Sequence, residues 1–309
     1  MSLMSQKHLQ DEEAAYAWVE AHLWPHGPVC PHCNEKERIS KMQGKATRIG
    51  LYKCYRCRKQ FRVTVNTIFE KSHVPLHLWL QAFYLIVGSK KGISSNQLHR
   101  TLGVTLKTAW FMSHRIREAM RQNSLSPPMG GAGGPVEVDE TYIGKTQFPK
   151  PRGGFQHMRT VLTLVDRSSG EARSFHVDRA DAVTVLPIVR YNIDREVTIM
   201  TDQAGHYKPL KKQGRKHESV NHAQEEWVRG EVHTNTVEGY FSLFKRGMRG
   251  IYQHCSEKHL RRYLAEFDFR YSNRVALGID DKQRAAIALV GVKNKRLTYR
   301  TTSGAGSGA

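Results

Sequence analysis

Asn235–Arg249 reads Asn-Thr-Val-Glu-Gly-Tyr-Phe-Ser-Leu-Phe-Lys-Arg-Gly-Met-Arg and alternates apolar with polar residues at helical spacing. At helical spacing its apolar residues form one stripe, which predicts a helix docked on a core: Val237, Phe241, Phe244 and Met248. The neighbouring stripe is polar: Asn235, Glu238, Ser242, Lys245 and Arg249. One interpretation is a capping box, with Asn235 as the N-cap and Glu238 at N3, before a solvated basic face. The alternative, a chemical role for Glu238, depends on two aspartates upstream.

The composition indicates a basic protein of more than one domain. The chain has 309 residues, with 48 Lys and Arg against 28 Asp and Glu and a net charge of +20. This length exceeds what one core usually organises. Positive charge spread over every segment favours a polyanionic partner over a merely soluble basic protein. No apolar run reaches the roughly 18 residues of a membrane span and no signal-peptide pattern is present, so we expect a cytoplasmic protein without membrane association.

Four of the five cysteines form two Cys-x-x-Cys pairs, Cys30 with Cys33 and Cys54 with Cys57. Each pair presents two sulfurs on one tight turn, and the two pairs together are typical of a four-thiolate Zn²⁺ site and not of a disulfide framework. Residues 48–53 and 59–65 alternate as short strands. The pattern therefore predicts a zinc ribbon whose core is too small to fold without its metal.

A helical period begins after Pro75. A first helix is followed by a short one capped by Ser94 or Ser95, and a turn at Gly103 leads into a third, an order typical of a helix-turn-helix. The third helix offers side chains suited to phosphates and base edges of DNA: Lys107, Thr108, His114, Arg115 and Arg117. Three-helix units also occur without DNA, but the charge and the ribbon favour DNA binding here.

A Gly- and Pro-rich stretch at 124–135 has the composition of a linker. The pattern after it predicts strands at 136–143, 160–165 and 172–177, a helix that Asp181 caps, and an apolar strand at 196–202. Three strands, a helix, a buried strand and then helices is the order of a ribonuclease-H-like domain, a mixed sheet with helices on its faces.

Two aspartates lie on predicted strands of this domain. An Asp at a strand end is most often a turn former or helix cap, which suits Asp202 taken alone. Asp139 differs because it lies in mid-strand, where Asp is disfavoured, beside Glu137. Two carboxylates on adjacent strands and a third, Glu238, from a packed helix would repel one another unless divalent cations neutralise them. Oxygen ligands favour Mg²⁺ or Mn²⁺, and two such ions suit phosphodiester cleavage.

Three phrases of the sequence resemble the DDE transposases and retroviral-type integrases: Val-Glu-Val-Asp139-Glu-Thr-Tyr-Ile-Gly, Thr-Asp202-Gln-Ala-Gly-His-Tyr and His-Thr-Asn-Thr-Val-Glu238-Gly-Tyr-Phe-Ser-Leu-Phe-Lys245-Arg-Gly. More narrowly, they are similar to bacterial insertion-sequence transposases related to eukaryotic Merlin elements. The resemblance covers the chain from about Cys30 to Arg274.

The resemblance implies a cut-and-paste enzyme that cuts the ends of its element and joins the 3′ ends to target DNA. Asp139, Asp202 and Glu238 would hold two Mg²⁺, while Lys245, with Asn235 or His233, would contact phosphate or hydroxyl. It also implies double-stranded DNA as the partner, a homodimer in the DNA complex and a bacterial protein associated with the nucleoid. We further expect Arg249, on the same polar stripe, to contact DNA.

The expected organisation is an N-terminal helix and zinc ribbon at 5–70, a helix-turn-helix at 71–123, the linker at 124–135, a ribonuclease-H-like catalytic domain at 136–275 and a basic C-terminal tail at 276–309. Two alternatives stay open. One is a ribonuclease-H-like nuclease without strand transfer, which would share the acids but would not need two DNA-reading modules. The other is a non-enzymatic zinc-ribbon regulator, which leaves the mid-strand Asp139 without a purpose.

Overall fold

The computed structural model describes residues 3–121, 126–146, 157–221 and 224–298. These residues form two compact units. Within the described residues, the first unit comprises 3–89, 93–120 and 281–298, and the second comprises 90–92 and the described part of 121–280. None of the helices in the described ranges is both long and apolar enough to cross a membrane.

The elements are numbered in chain order. The α-helices are α1 (Glu12–Leu23), α2 (Leu76–Val87), α3 (Ser95–Leu102), α4 (Leu106–Met120), α5 (Ala182–Asn192), α6 (Pro209–Lys212), α7 (Asn235–Gly247), α8 (Glu257–Ser272) and α9 (Asp281–Val290). The strands are β1 (Ile39–Lys41), β2 (Tyr52–Cys54), β3 (Gln60–Phe61), β4 (Val136–Lys145), β5 (Met158–Asp166), β6 (Ala172–Val177), β7 (Ile199–Asp202) and β8 (His217–Val220).

The predicted ribbon is a three-stranded antiparallel sheet, β1-β2-β3, in the first unit. Its apolar core is small. Trp24 packs edge-on against Tyr52 with ring centroids 5.5 Å apart, and Tyr52 stacks on Phe61 at 5.8 Å. Because Cys30 and Cys54 are buried in this same cluster, the cysteine site is part of the ribbon's core.

The helix-turn-helix order is present in α3 and α4. Ser94 caps α3, because its side-chain oxygen accepts the Gln97 N–H at 3.1 Å. The helix ends at Gly103, whose φ of +65° lies in the left-handed region that favours glycine. α4 begins at Leu106.

The carboxyl-terminal segment belongs to the first unit and is not a separate tail. Ala288 and Leu289 of α9 are buried, and Arg284 donates to the Val87 carbonyl at 3.1 Å. A Cβ on Gly291 would lie 2.2 Å from the Ala119 carbonyl oxygen, so only glycine allows this close approach. The structure therefore differs from the expected basic tail at residues 281–298, because they bury apolar surface against α2 and α4. Residues 299–309 lie outside the described residues.

The second unit contains a five-stranded mixed sheet in the order β6-β5-β4-β7-β8. The pairs among β6, β5 and β4 are antiparallel, and those of β7 with β4 and β8 are parallel. This arrangement confirms the predicted mixed sheet of a ribonuclease-H-like domain. The predicted cap of α5 is also present, since Asp181 accepts the Thr184 N–H at 2.9 Å. The sequence analysis missed β8, whose residues His-Glu-Ser-Val have no apolar pattern.

Helices cover both faces of this sheet. On one face Val136 and Val138 of β4 share a core cluster with Val185 and Val189 of α5. The other face holds a second cluster, in which Val161 of β5 joins residues of α7 and α8. Side chains alternate along a strand, so Glu137 and Asp139 point to the α7 face.

The stretch predicted as a linker is packed where the structure describes it. Met129 is buried and forms a parallel bridge with Ile193, and the Gly130 N–H donates to Asp166 Oδ2 at 3.0 Å. Residues 126–135 are thus anchored to the second unit. Residues 124 and 125 lie outside the described residues.

Candidate active site

The helix α7 presents Glu238 on its polar face. The predicted apolar stripe is confirmed, because Val237, Phe241, Phe244 and Met248 are all buried. The predicted cap is wrong by one residue: Thr234 is the N-cap and Asn235 begins the helix. Thr234 Oγ1 instead donates to Glu238 Oε1 at 2.9 Å. Glu238 itself is exposed, so its carboxylate lies on the side of the helix that the core does not cover.

The strands β4 and β7 bring the two aspartates side by side. Their parallel register pairs Val136 with Ile199 and Glu137 with Met200. Continued two residues further, this offset sets Asp202 level with Asp139, and residues level with each other in neighbouring strands project from the same face of a sheet. Asp202 also ends its strand, where ligands bind in open α/β sheets.

The carboxylates around Asp139 act on its ionisation. Burial and the neighbouring Glu140 raise the pKa of Asp139, and the carboxylates of Asp202 and Glu238 raise it further, to about 8. The Glu140 N–H opposes this shift, since it donates to Asp139 Oδ1 at 2.7 Å. Like charges shift a pKa appreciably only at short range. Asp202 and Glu238 therefore lie near enough to Asp139 to affect its pKa.

Two of the basic residues that follow Glu238 belong to the polar stripe predicted for this stretch, Lys245 and Arg249. Lys245 is half-buried, and because it lies seven residues after Glu238 it falls on the same helical face, two turns on. Arg249 is exposed, in a π-helical turn, Met248–Tyr252, that continues α7. A line of two cations beyond a carboxylate suits contacts to the phosphates of a bound strand.

Of the two further candidates, Asn235 is exposed at the first position of α7. His233 lies inside a polar cluster at the same helix end, with Nδ1 3.3 Å from Glu137 Oε1 and 2.7 Å from an Arg167 nitrogen. His233 is thereby engaged with the protein's own residues.

The four cysteines of the ribbon meet at one point. Their sulfur atoms all lie within 4.8 Å of one another, with Cys30 to Cys57 at 3.7 Å and Cys33 to Cys54 at 3.6 Å. A tetrahedral Zn²⁺ with bonds of about 2.3 Å holds its sulfurs about 3.8 Å apart, so the spacing fits. Burial opposes ionisation of Cys54, but the backbone N–H groups of Cys57 and Arg56 lower the pKa of its thiol to about 7. The pKa of Cys33 is instead raised to about 12, so the fit to Zn²⁺ rests on the spacing of the four sulfurs and not on the ionisation of the metal-free thiols.

Residues 131–272 match the family described as ISXO2-like transposase domain, and residues 10–60 match the one described as transposase zinc-ribbon domain. The chain is 31% identical over 269 residues to a protein of Halobacterium salinarum described as "Uncharacterized protein in transposable element ISH50", and the match covers 80% of this chain and 86% of that one. The chain belongs to the ISXO2-like transposases. The resemblance to insertion-sequence transposases is confirmed.

A solved structure is also similar, at 15% identity and a TM-score of 0.29. It is described as a simian T-cell lymphotropic virus intasome in complex with PP2A regulatory subunit B56 gamma, and the match covers 55% of this chain and 63% of that one, less than two thirds of its length.

The DNA-contacting residues predicted in the helix-turn-helix of this transposase fall into an accessible group and a buried group. Lys107 is exposed at the start of α4, and Thr108 is half-buried beside it. Arg115 and Arg117 are buried, as is His114. They lie on the side of α4 that packs into the first unit.

The hydrogen bonds of the two arginines explain their burial. Arg115 Nη1 donates to the carbonyls of Ile68 at 2.6 Å and Glu70 at 3.1 Å, and Arg117 Nη1 donates to Ser113 Oγ at 2.9 Å. A guanidinium that is buried and hydrogen-bonded inside the unit cannot reach a DNA phosphate. The prediction that Arg115 and Arg117 contact DNA is therefore corrected: both stabilise the fold.

The sequence analysis also missed the partners of the acids around Asp139. Glu137 is fully buried against Arg167, and Glu140 accepts a hydrogen bond from Tyr207 at 2.7 Å. Glu137 was visible as a second acid beside Asp139. Nothing in the pattern around Arg167 or Tyr207 could have identified their roles, because both contacts join residues that are distant in the sequence.

Proposed function

We propose that this chain is a DNA transposase that cuts the ends of its element and joins the 3′ ends to target DNA by two-metal-ion phosphodiester chemistry. Membership of the ISXO2-like family supports the reaction class. The observation that supports the proposal best is the raised pKa of Asp139, to which Asp202, from the parallel neighbour of β4, and Glu238 both contribute.

The residues of this site fit Mg²⁺ or Mn²⁺. All three are oxygen donors, which hard divalent cations prefer. The carboxylates of Asp202 and Glu238 raise the pKa of Asp139, and a bound cation would offset this concentration of negative charge. Two bound ions would activate a water or a 3′-hydroxyl for attack and would stabilise the leaving oxygen.

The chain's own residues fix where the DNA lies. Asp139 and Asp202 stand on two paired central strands and Glu238 on a helix packed against β4 and β5, so the three carboxylates have rigid supports. Lys245 and Arg249 would hold phosphates on one side of the scissile bond. No side chain need become covalently attached to the DNA, because water or a DNA hydroxyl is the nucleophile.

Recognition of the element ends would involve the first unit. Lys107 and Thr108 begin the third helix of the helix-turn-helix, where a recognition helix meets a major groove. The ribbon and the net charge of +20 would add non-specific affinity for double-stranded DNA. Because an element has two ends, we propose that two copies act together in the DNA complex.

The test is a cutting and joining assay. The full chain is incubated with end-labelled duplex DNA amplified from the sequence that flanks its gene, together with an unlabelled target plasmid and Mg²⁺. We expect Mg²⁺-dependent nicks at fixed positions and products in which the labelled 3′ end is joined to the plasmid. Nicks without joined products would favour the nuclease alternative, and tight DNA binding without nicks would favour the regulator.

A further inference from the structure

The acids on either side of Asp139 are not explained by the metal-binding role. Glu137 and Glu140 lie two positions before and one position after it, so they project from opposite faces of β4. Glu137 is fully buried and Glu140 is half-buried. Burying a carboxylate is costly unless it is paired and hydrogen-bonded, so their partners indicate what they do.

Glu137 holds the first turn of α7. Its Oε2 accepts the N–H of Val237, the residue directly before Glu238, at 2.9 Å. The first N–H groups of a helix have no partner within the helix, and this contact satisfies one of them from the sheet. The other oxygen, Oε1, accepts from Arg167 Nε at 2.5 Å.

Arg167 extends this contact to the segment that leads into α7. Its Nη1 donates to the carbonyl of Glu231 at 2.7 Å and its Nη2 donates to the carbonyl of His233 at 2.8 Å. The pair of Glu137 and Arg167 thus fixes both the approach to the helix and its first turn relative to β4. Glu238 lies on that turn.

Glu140 makes the corresponding contact on the other face of β4. Its Oε2 accepts from the Tyr207 hydroxyl at 2.7 Å, and its Oε1 lies 3.4 Å from His206 Nε2. Both partners belong to the 3₁₀ turn Gly205–Tyr207, which follows Asp202 closely, and the Ala204 N–H in between donates to Asp202 Oδ1 at 3.0 Å. Glu140 therefore ties the segment after Asp202 to the strand that carries Asp139.

We propose that Glu137 and Glu140 are positioning residues, each of which anchors to β4 the segment that carries one of the other two carboxylates. β4 then sets the spacing of all three: Asp139 directly, Glu238 through Glu137, and Asp202 through Glu140. This inference rests on the proposed function, because it concerns the placement of the carboxylates that would hold the cations. Neither Glu137 nor Glu140 is a ligand in this account.

The Glu140 contact gives the sharper test, because its partner can be changed by one atom. Tyr207→Phe removes the hydroxyl and keeps the buried ring. Glu140→Gln keeps an oxygen that can accept from Tyr207, whereas Glu140→Ala does not. The matched control is Tyr252→Phe, which removes another buried tyrosine hydroxyl that donates to a carboxylate, that of Glu266, in the same unit.

Two measurements are made on each full-length variant: the affinity for Mn²⁺ without DNA, by calorimetry, and cleavage of flanking duplex DNA in Mg²⁺. Removing a residue that orients a metal ligand typically costs 10- to 100-fold in affinity or activity. We expect that loss in Mn²⁺ affinity and in kcat for Tyr207→Phe and Glu140→Ala, with an unchanged KM for DNA. Glu140→Gln should stay close to wild type, and Tyr252→Phe should affect only the melting temperature.

The outcomes separate the possible roles. Wild-type Mn²⁺ affinity in Tyr207→Phe would overturn the inference. A Glu140→Gln variant as weak as Glu140→Ala, beside an unimpaired Tyr207→Phe, would make Glu140 a ligand and would also overturn it. Glu137→Gln should show the same loss, and the Tyr207 series decides the question if that variant does not fold. A wild-type protein that neither binds Mn²⁺ nor cuts DNA would refute the proposed function itself, which is a different result.

Discussion

The raised pKa of Asp139 makes cation binding depend on pH. In the metal-free protein its pKa is about 8, because of burial and the neighbouring carboxylates, against an ordinary value of 3.8. A cation binds the ionised carboxylate, so binding below pH 8 must displace a proton. At pH 7 roughly nine-tenths of Asp139 is protonated, and we expect roughly 0.9 proton released per chain. The apparent Mn²⁺ affinity should rise about tenfold from pH 6 to pH 7 and level off above about pH 8.

The assay is calorimetry of Mn²⁺ binding at pH 7 in two buffers of different ionisation enthalpy, which counts the protons released. The control is Asp268→Asn. Burial raises the pKa of Asp268 to about 7, but it is bonded to Ser174 and Tyr240 and belongs to another cluster. Proton release should persist in Asp268→Asn and disappear in Asp139→Asn. Mn²⁺ binding by the wild type with no proton released at pH 7 would refute the crowding of the three acids.

The same pKa shift predicts how stability changes with pH. A carboxyl group with a raised folded-state pKa contributes stability below its unfolded pKa of about 3.8, and this contribution is lost as the pH rises through the folded-state pKa. The metal-free protein should therefore lose stability between about pH 4 and pH 8. Asp268 acts in the same direction up to about pH 7, so the informative quantity is the difference in melting temperature between wild type and Asp139→Asn. That difference should change up to about pH 8 and not beyond.

Three further predictions concern the ribbon, the third helix and the polar face of α7. Elemental analysis should find about one zinc per chain, and a strong chelator should unfold the ribbon; a metal-free ribbon that keeps its structure would contradict this. Lys107→Ala should weaken DNA binding and reduce its salt slope by about one, whereas Arg115→Ala should lower the melting temperature and leave the slope unchanged, because it leaves buried carbonyls unpaired. Lys245→Ala should slow cleavage by about 10²- to 10³-fold, less than loss of a carboxylate, in a kcat measurement on flanking DNA.

Local patterns in the sequence were enough to predict the elements that carry the acids. The apolar stripe from Val237 to Met248 defines the buried side of α7 and therefore the exposed side, on which Glu238 lies. Asp139 could be singled out because aspartate is disfavoured in the middle of a strand. The alternation of apolar residues likewise predicted the strands β4 to β7, and the thiol spacing predicted the ribbon.

What could not be predicted depends on contacts between distant segments. Helical period alone did not show that Arg115 points inward, because its partners include the Leu297 carbonyl, 182 residues away. The return of α9 to the first unit is of the same kind. The hydrogen bond from the Val237 N–H of α7 to Glu137 joins residues 100 positions apart in the sequence, so no local pattern predicts it. The short polar strand β8 is specified by pairing with β7 and not by its own composition.

The most direct test of the central claim is cleavage by Glu238→Gln. This substitution keeps the size and helix propensity of the residue and an oxygen that can accept from Thr234, so the fold should survive, but it removes one negative charge from the acidic site. The matched control is Glu196→Gln. It removes a charge from an exposed residue that precedes β7, at the end of the strand away from Asp202. On end-labelled flanking DNA in Mg²⁺, Glu238→Gln should bind like wild type yet lose nicked and joined products by several orders of magnitude, while Glu196→Gln cuts normally. A Glu238→Gln protein that still cuts and joins would show that Glu238 only supports its helix.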